Sequence, residues 1–137
     1  VTLLRLKQDT VTTRKNTRLT DRVVTTNATP ATAFSISLGS GRHSFGTFRI
    51  IAVKSDLTEM STFYTQAAFR RPPGGNVTAV GTPKIDIMTD WSTPSGTRPM
   101  VSFAANTGTQ SIDIVVTGRA ATTINWYLEI VSIQNLS

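Results

Sequence analysis

The stretch SIDIVVTGRAATTINWYLEIVSI, residues 111–133, decides how this chain is read. Ile112, Ile114 and Val116 alternate with Ser111, Asp113 and Thr117, and Ile124, Trp126, Leu128 and Ile130 alternate with Asn125, Tyr127 and Glu129. A period of two puts one row of apolar side chains on one face of a sheet and polar groups on the other. Residues 118–123, Gly-Arg-Ala-Ala-Thr-Thr, break the pattern, so the expectation is a β-hairpin near the C-terminus with Trp126 at the centre of a sandwich core. Nothing in the stretch is catalytic chemistry.

Working outward, the same alternation returns. Phe34, Ile36 and Leu38 alternate with Ser35 and Ser37 after the breaker Asn27-Ala28-Thr29-Pro30, and Asp21 to Thr26 before it reads as a strand. From Phe45 to Lys54, Phe48, Ile50 and Ala52 occupy one face and Ile51 and Val53 the other. Apolar residues on both faces predict a strand covered on both sides, by the core and by a loop or a neighbouring subunit. Arg49 then needs a partner or an edge.

Residues 55–69 read two ways. Met60, Phe63, Tyr64, Ala67 and Ala68 fall at helical spacing, with Asp56 and Glu59 suited to a helix start. Thr62, Thr65 and the aromatic residues favour a strand with Phe63, Ala67 and Phe69 on one face, and a turn near Leu57 followed by that strand is the preferred reading. Residues 70–75, Arg-Arg-Pro-Pro-Gly-Gly, form a loop. Short strands follow at Val77 to Val80, Lys84 to Thr89 and Val101 to Ala105, with a loop at residues 93–99 and a turn at residues 106–108. The sum is an all-β chain: a single antiparallel β-sandwich or jelly roll of about eight to ten strands over residues 21–137.

Residues 1–20 stand apart as an extended basic arm. Of the formal charge of +6, residues 1–22 hold +4, from Arg5, Lys7, Arg14, Lys15, Arg18 and Arg22 against Asp9 and Asp21. The run from Thr10 to Arg18 has no second large apolar face, so the arm is expected to become ordered by contact with something else. A cationic arm can seek nucleic acid, an anionic membrane or an acidic protein surface. No series of aromatics runs between its charges for base stacking, so no nucleic acid is expected as partner. No apolar run approaches the roughly 18 residues of a membrane-spanning helix, and residues 1–7 are too short and too interrupted for a secretory signal, so no membrane is expected either.

Chemistry-bearing residues are few. At 137 residues the chain fits one domain, and it has no cysteine and one histidine. His43 beside Ser44 could in principle serve a hydrolytic triad, but G-x-S-x-G is absent. Gly39-x-Gly41 lacks the third glycine of a dinucleotide site, and no phosphate-loop lysine follows a glycine run. Asp86 and Asp90 could share a hard cation such as calcium, which asks for six to eight oxygen ligands, but two carboxylates read foremost as solvated or arginine-paired. The expectation is a protein that is not an enzyme and needs no cofactor or metal. Trp91 reads foremost as a plug at the sandwich end, or else, with Phe69, Arg70 and Arg71, as part of an exposed aromatic and cationic patch for a sugar or nucleic acid.

Several of these motifs, in order, resemble the β-sandwich domains of tailed-bacteriophage virion structural proteins. They are residues 24–30 (VTTNATP), 51–56 (IAVKSD), 67–71 (AAFRR), 74–81 (GGNVTAVG), 114–118 (IVVTG) and 123–126 (TINW). The resemblance spans about Val24 to Ile133 and leaves the arm uncovered. It implies a non-enzymatic virion component and a strand, not a helix, for residues 62–70. Such domains occur in tail fibres, head fibres and capsid decoration proteins. With only about twenty residues ahead of the domain, a compact unit on a lattice is the first expectation: a capsid cement or decoration protein, a homotrimer. Its arm, through Leu4, Arg5, Leu6, Lys7, Arg14, Lys15, Arg18 and Arg22, would contact the phage major capsid protein. The alternative is a tail-fibre or tailspike tip that binds a host surface glycan through Arg42, Arg71 and Trp91.

Overall fold

A computed structural model of the chain describes residues 2–5, 11–15, 22–89, 91 and 98–136. Among the described residues there are eleven strands and no helix: β1 (Thr2–Arg5), β2 (Val11–Lys15), β3 (Val23–Thr25), β4 (Ala31–Ser37), β5 (Arg42–Lys54), β6 (Met60–Arg71), β7 (Thr78–Ala79), β8 (Lys84–Thr89), β9 (Met100–Asn106), β10 (Ser111–Thr117) and β11 (Ile124–Leu136). They form two sheets. The small one has the order β1-β4-β10-β9 and the large one β2-β11-β5-β6-β7, with β3 also on β11 and β8 also on β6. The chain is thus an all-β sandwich, antiparallel except for the parallel pair β1 and β4.

The stretch at residues 111–133 differs from its reading in one respect. Its two strands do not pair with each other. β10 lies in the small sheet between β4 and β9, whereas β11 lies in the large sheet between β5 and the short strands β2 and β3. Residues 118–123 therefore cross from one sheet to the other as an arch. Alternation determines which side chains face the core, but it is equally satisfied when the two apolar rows oppose each other across the core as when they lie side by side in one sheet.

The large sheet is built on long strands. β5 and β11 are 13 residues each and β6 is 12, and their inward residues Phe48, Ile50, Ala52, Phe63, Ala67, Phe69, Trp126 and Leu128 meet Phe34, Ile36, Ile112, Ile114 and Val116 of the small sheet. Phe103 of β9 reaches across to Phe48 and Phe69, with ring centroids 6.0 and 6.5 Å apart, and Phe63 stacks on Trp126 at 6.4 Å. The preferred strand reading holds through Phe69, and Leu57 makes the turn before it at φ 64°, but β6 continues through Arg70 and Arg71, which the breaker pattern assigns to a loop: both pair with β5, opposite His43 and Arg42, and the strand ends only where Pro72 removes a donor.

A hydrogen bond and a close backbone approach fix the arch. Trp126 is fully buried and donates its indole N–H to Thr25 Oγ1 at 2.8 Å. Gly118 passes so close that a Cβ there would lie 2.6 Å from Thr25 Oγ1 and 2.7 Å from the Asn27 carbonyl oxygen. Both distances are shorter than real Cβ atoms tolerate, so a side chain at 118 would force the backbone of the arch to shift. Residues 24–30, 114–118 and 123–126, distant in the sequence, thereby form one packed unit.

Candidate interaction surface

The outward side chains of the large sheet are set in rows by the strand register. Asn125, Val53 and Met60 lie opposite one another, with Val24 beyond Asn125. The next row holds Tyr127, Ile51 and Thr62, and the next Glu129, Arg49, Tyr64 and Asp86. A shift in the β6–β8 pairing between Thr62 and Phe63 adds Met88 to this face. Arg49, Ile51, Met60, Thr62, Tyr64 and Met88 line an open depression of about 540 Å³.

Local sequence explains these placements. Ile51 and Val53 follow from the two-faced apolar pattern of β5, and Arg49 finds the partner it needs, donating to Glu129 Oε2 on β11 at 3.3 Å. Lys84 and Asp86 form a second exposed pair at 3.6 Å on β8. Such exposed pairs each contribute about 0–1 kcal/mol and act mainly by balancing charge. Tyr64, Tyr127, Met60 and Met88 were not legible as one surface, because only the register between three strands assembles them.

At the opposite end of the sheet, Arg42 faces Arg71 and His43 faces Arg70 in register. Gly41, His43, Arg70, Arg71, Pro72 and Pro73 surround a shallow hollow of about 240 Å³. Arg71 is committed to the fold, donating from Nε to the Gly75 carbonyl at 2.9 Å and from Nη1 to the Leu38 carbonyl at 3.1 Å. Trp91 lies elsewhere. It follows β8, whose Thr89 pairs with Thr62, nine residues from Arg71 along β6 or roughly 30 Å at about 3.3 Å per residue, and β8 runs away from the Arg71 end. It is 5% exposed, with the Arg119 guanidinium 5.6 Å from its ring centre. Trp91 is the expected core plug, and Arg42, Arg71 and Trp91 do not come together as one glycan-binding surface.

His43 is exposed while Ser44 is buried on the other face of β5, so the two do not meet. Among the described residues no group of three or more His, Asp or Glu is arranged to hold a metal ion. Asp86 pairs with Lys84, and Asp90 lies outside the described residues. Of the basic segment, Leu4 and Arg5 belong to β1 and Arg14 and Lys15 to β2, Arg22 is exposed just before β3, and Leu6, Lys7 and Arg18 lie outside the described residues.

One acid behaves unlike its pattern. Asp113 alternates with Ile112 and Ile114 as a solvent-facing residue should, yet it is only 7% exposed. Its Oδ1 accepts from Ser35 Oγ at 2.5 Å and Ser111 Oγ at 3.0 Å, and its Oδ2 from Asn106 Nδ2 at 2.9 Å. This ties β4, β10 and β9 together by charge-assisted bonds. The sequence matches no protein-family model and no curated protein.

Proposed function

We propose that the protein is a non-enzymatic virion structural protein, a capsid decoration or cement protein that stabilises a phage coat lattice. The observation that carries this reading is the position of the basic N-terminal segment. Its two described strands, β1 and β2, are the terminal strands of the two sheets. An edge strand offers unpaired backbone N–H and C=O groups to another chain, and Arg5, Arg14 and Lys15 lie on these two strands. A flank that is both strand-edged and cationic fits an acidic surface of the phage major capsid protein. Individual exposed ion pairs contribute about 0–1 kcal/mol each, so firm attachment would come from many copies engaging a repeated lattice. The resemblance of residues 24–133 to phage virion domains supports the same reading.

Two measurements test it. Particles assembled without the protein should lose heat or osmotic resistance and still adsorb to host cells; normal capsid stability with lost adsorption would reject cement in favour of a receptor-binding fibre. The double variant Arg14→Glu, Lys15→Glu should remain folded and bind particles more weakly. Undiminished binding by that variant would remove the basic segment from the attachment.

A further inference from the structure

We propose that the outward face of the large sheet, centred on Ile51, Met60, Tyr64 and Met88, packs against a second copy of this chain. The proposal does not rest on where the protein acts.

Five observations carry it. The face is apolar where a solvated sheet face should be polar: Val24 is 45% exposed, Met60 44% and Met88 66%, and Ile51, Val53, Tyr64 and Tyr127 are half-buried beside them. Two of the chain's three methionines are here, and methionine adapts its unbranched side chain to a facing surface. The depression they line is open to solvent, so a small molecule in it would stay largely uncovered, unlike a ligand held in an enclosed cleft.

Charge selects the occupant. Around the depression each cation has an anion beside it, Arg49 with Glu129 and Lys84 with Asp86, so this region is neutral in a chain of net charge +6. Nucleic acid or an anionic membrane would require uncompensated cations there. Two copies of a +6 chain repel one another through most orientations, and a neutral apolar face is where they can meet without that penalty. Each copy presents both signs to the other.

From β11 across β5 and β6 to β8 the face is four strands wide, roughly 19 Å at about 4.8 Å per strand, and it extends along the six residues of β8, roughly 20 Å. The product, on the order of 400 Å² on each copy, is at the low end of specific interfaces, so the association is expected to depend on concentration.

Light scattering across a concentration series, on the full chain and on the variants Met60→Glu and Met88→Glu, tests this. The wild type should show a mass of two or three times the 14.8 kDa chain. Either variant, its fold checked by near-ultraviolet circular dichroism, should raise the dissociation constant about tenfold or more. A wild type of single-chain mass at every concentration, or an oligomer that both folded variants leave unchanged, would overturn the proposal. Peroxide oxidation of the wild type gives a readout without mutation. Met60 and Met88 should become protected as concentration rises while Met100, 58% exposed on the small sheet, keeps its rate, and equal rates for all three would also overturn it.

Discussion

At the scale of single residues, the fold depends on a few side chains that cannot be exchanged. Thr25→Val keeps the shape but removes the acceptor of the Trp126 indole N–H, and leaving that buried donor unpaired should cost about 1–3 kcal/mol in urea unfolding. Gly118→Ala should destabilise by about 1–3 kcal/mol or more, since the added methyl meets the Asn27 carbonyl oxygen at 2.7 Å. Asp56 offers a pH test. The Thr58 hydroxyl and then the Thr58 backbone N–H donate to its Oδ1 at 2.6 and 3.0 Å, and Lys54 stands 3.1 Å from Oδ2. Together they hold the carboxyl at about 2 against an ordinary 3.8. A depressed folded value means that this stabilisation is complete above about pH 4 and is lost as pH falls through about 2. In a carboxyl NMR titration, Thr58→Ala should move the Asp56 midpoint back toward 3.8.

At the scale of elements, edges matter more than strand interiors. β1 lies alongside β4, and β2 and β3 share the outer side of β11, so the N-terminal segment borders both sheets on one flank. Removing residues 1–15 would uncover the backbone of β4 and of the C-terminal half of β11. The truncated chain should unfold at lower urea and aggregate on concentration, read by light scattering beside the full chain. The lengths of β5, β6 and β11 have a second consequence. They make the large sheet long enough to bear a cationic end at Arg42 and Arg70 and, at its other end, the apolar depression.

At the scale of the whole molecule, charge and apolar surface are segregated. The excess of cations is in residues 1–22, while the neutral apolar face lies across β11, β5, β6 and β8. If the basic flank grips an acidic coat and the neutral face joins copies, the two contacts respond oppositely to salt. Binding to particles should weaken as ionic strength rises, because exposed charges are screened within about 8 Å at physiological salt. Self-association, driven by apolar burial, should hold or strengthen under the same titration, measured by mass.

The sequence alone determined most strands of residues 23–136 and their inward faces, but not β1 and β2, whose residues read as an unpaired arm. The alternation in residues 111–117 and 124–130, the two-faced apolar run of β5 and the turn near Leu57 are local signals, and each side chain they assign inward is buried except Ile130, which is half-buried against the core. It also made Trp126 the centre and Trp91 the plug, because large apolar side chains have few other places to go. Only the tertiary structure decided that β10 and β11 belong to different sheets, since a period of two is blind to which strand is the neighbour. Only register could gather Ile51, Met60, Tyr64 and Met88 on one face, and only burial could show that Asp113, read as solvent-facing, is held by Ser35, Ser111 and Asn106. Pairing and register are set by contacts between residues far apart in the chain, and no local pattern encodes them.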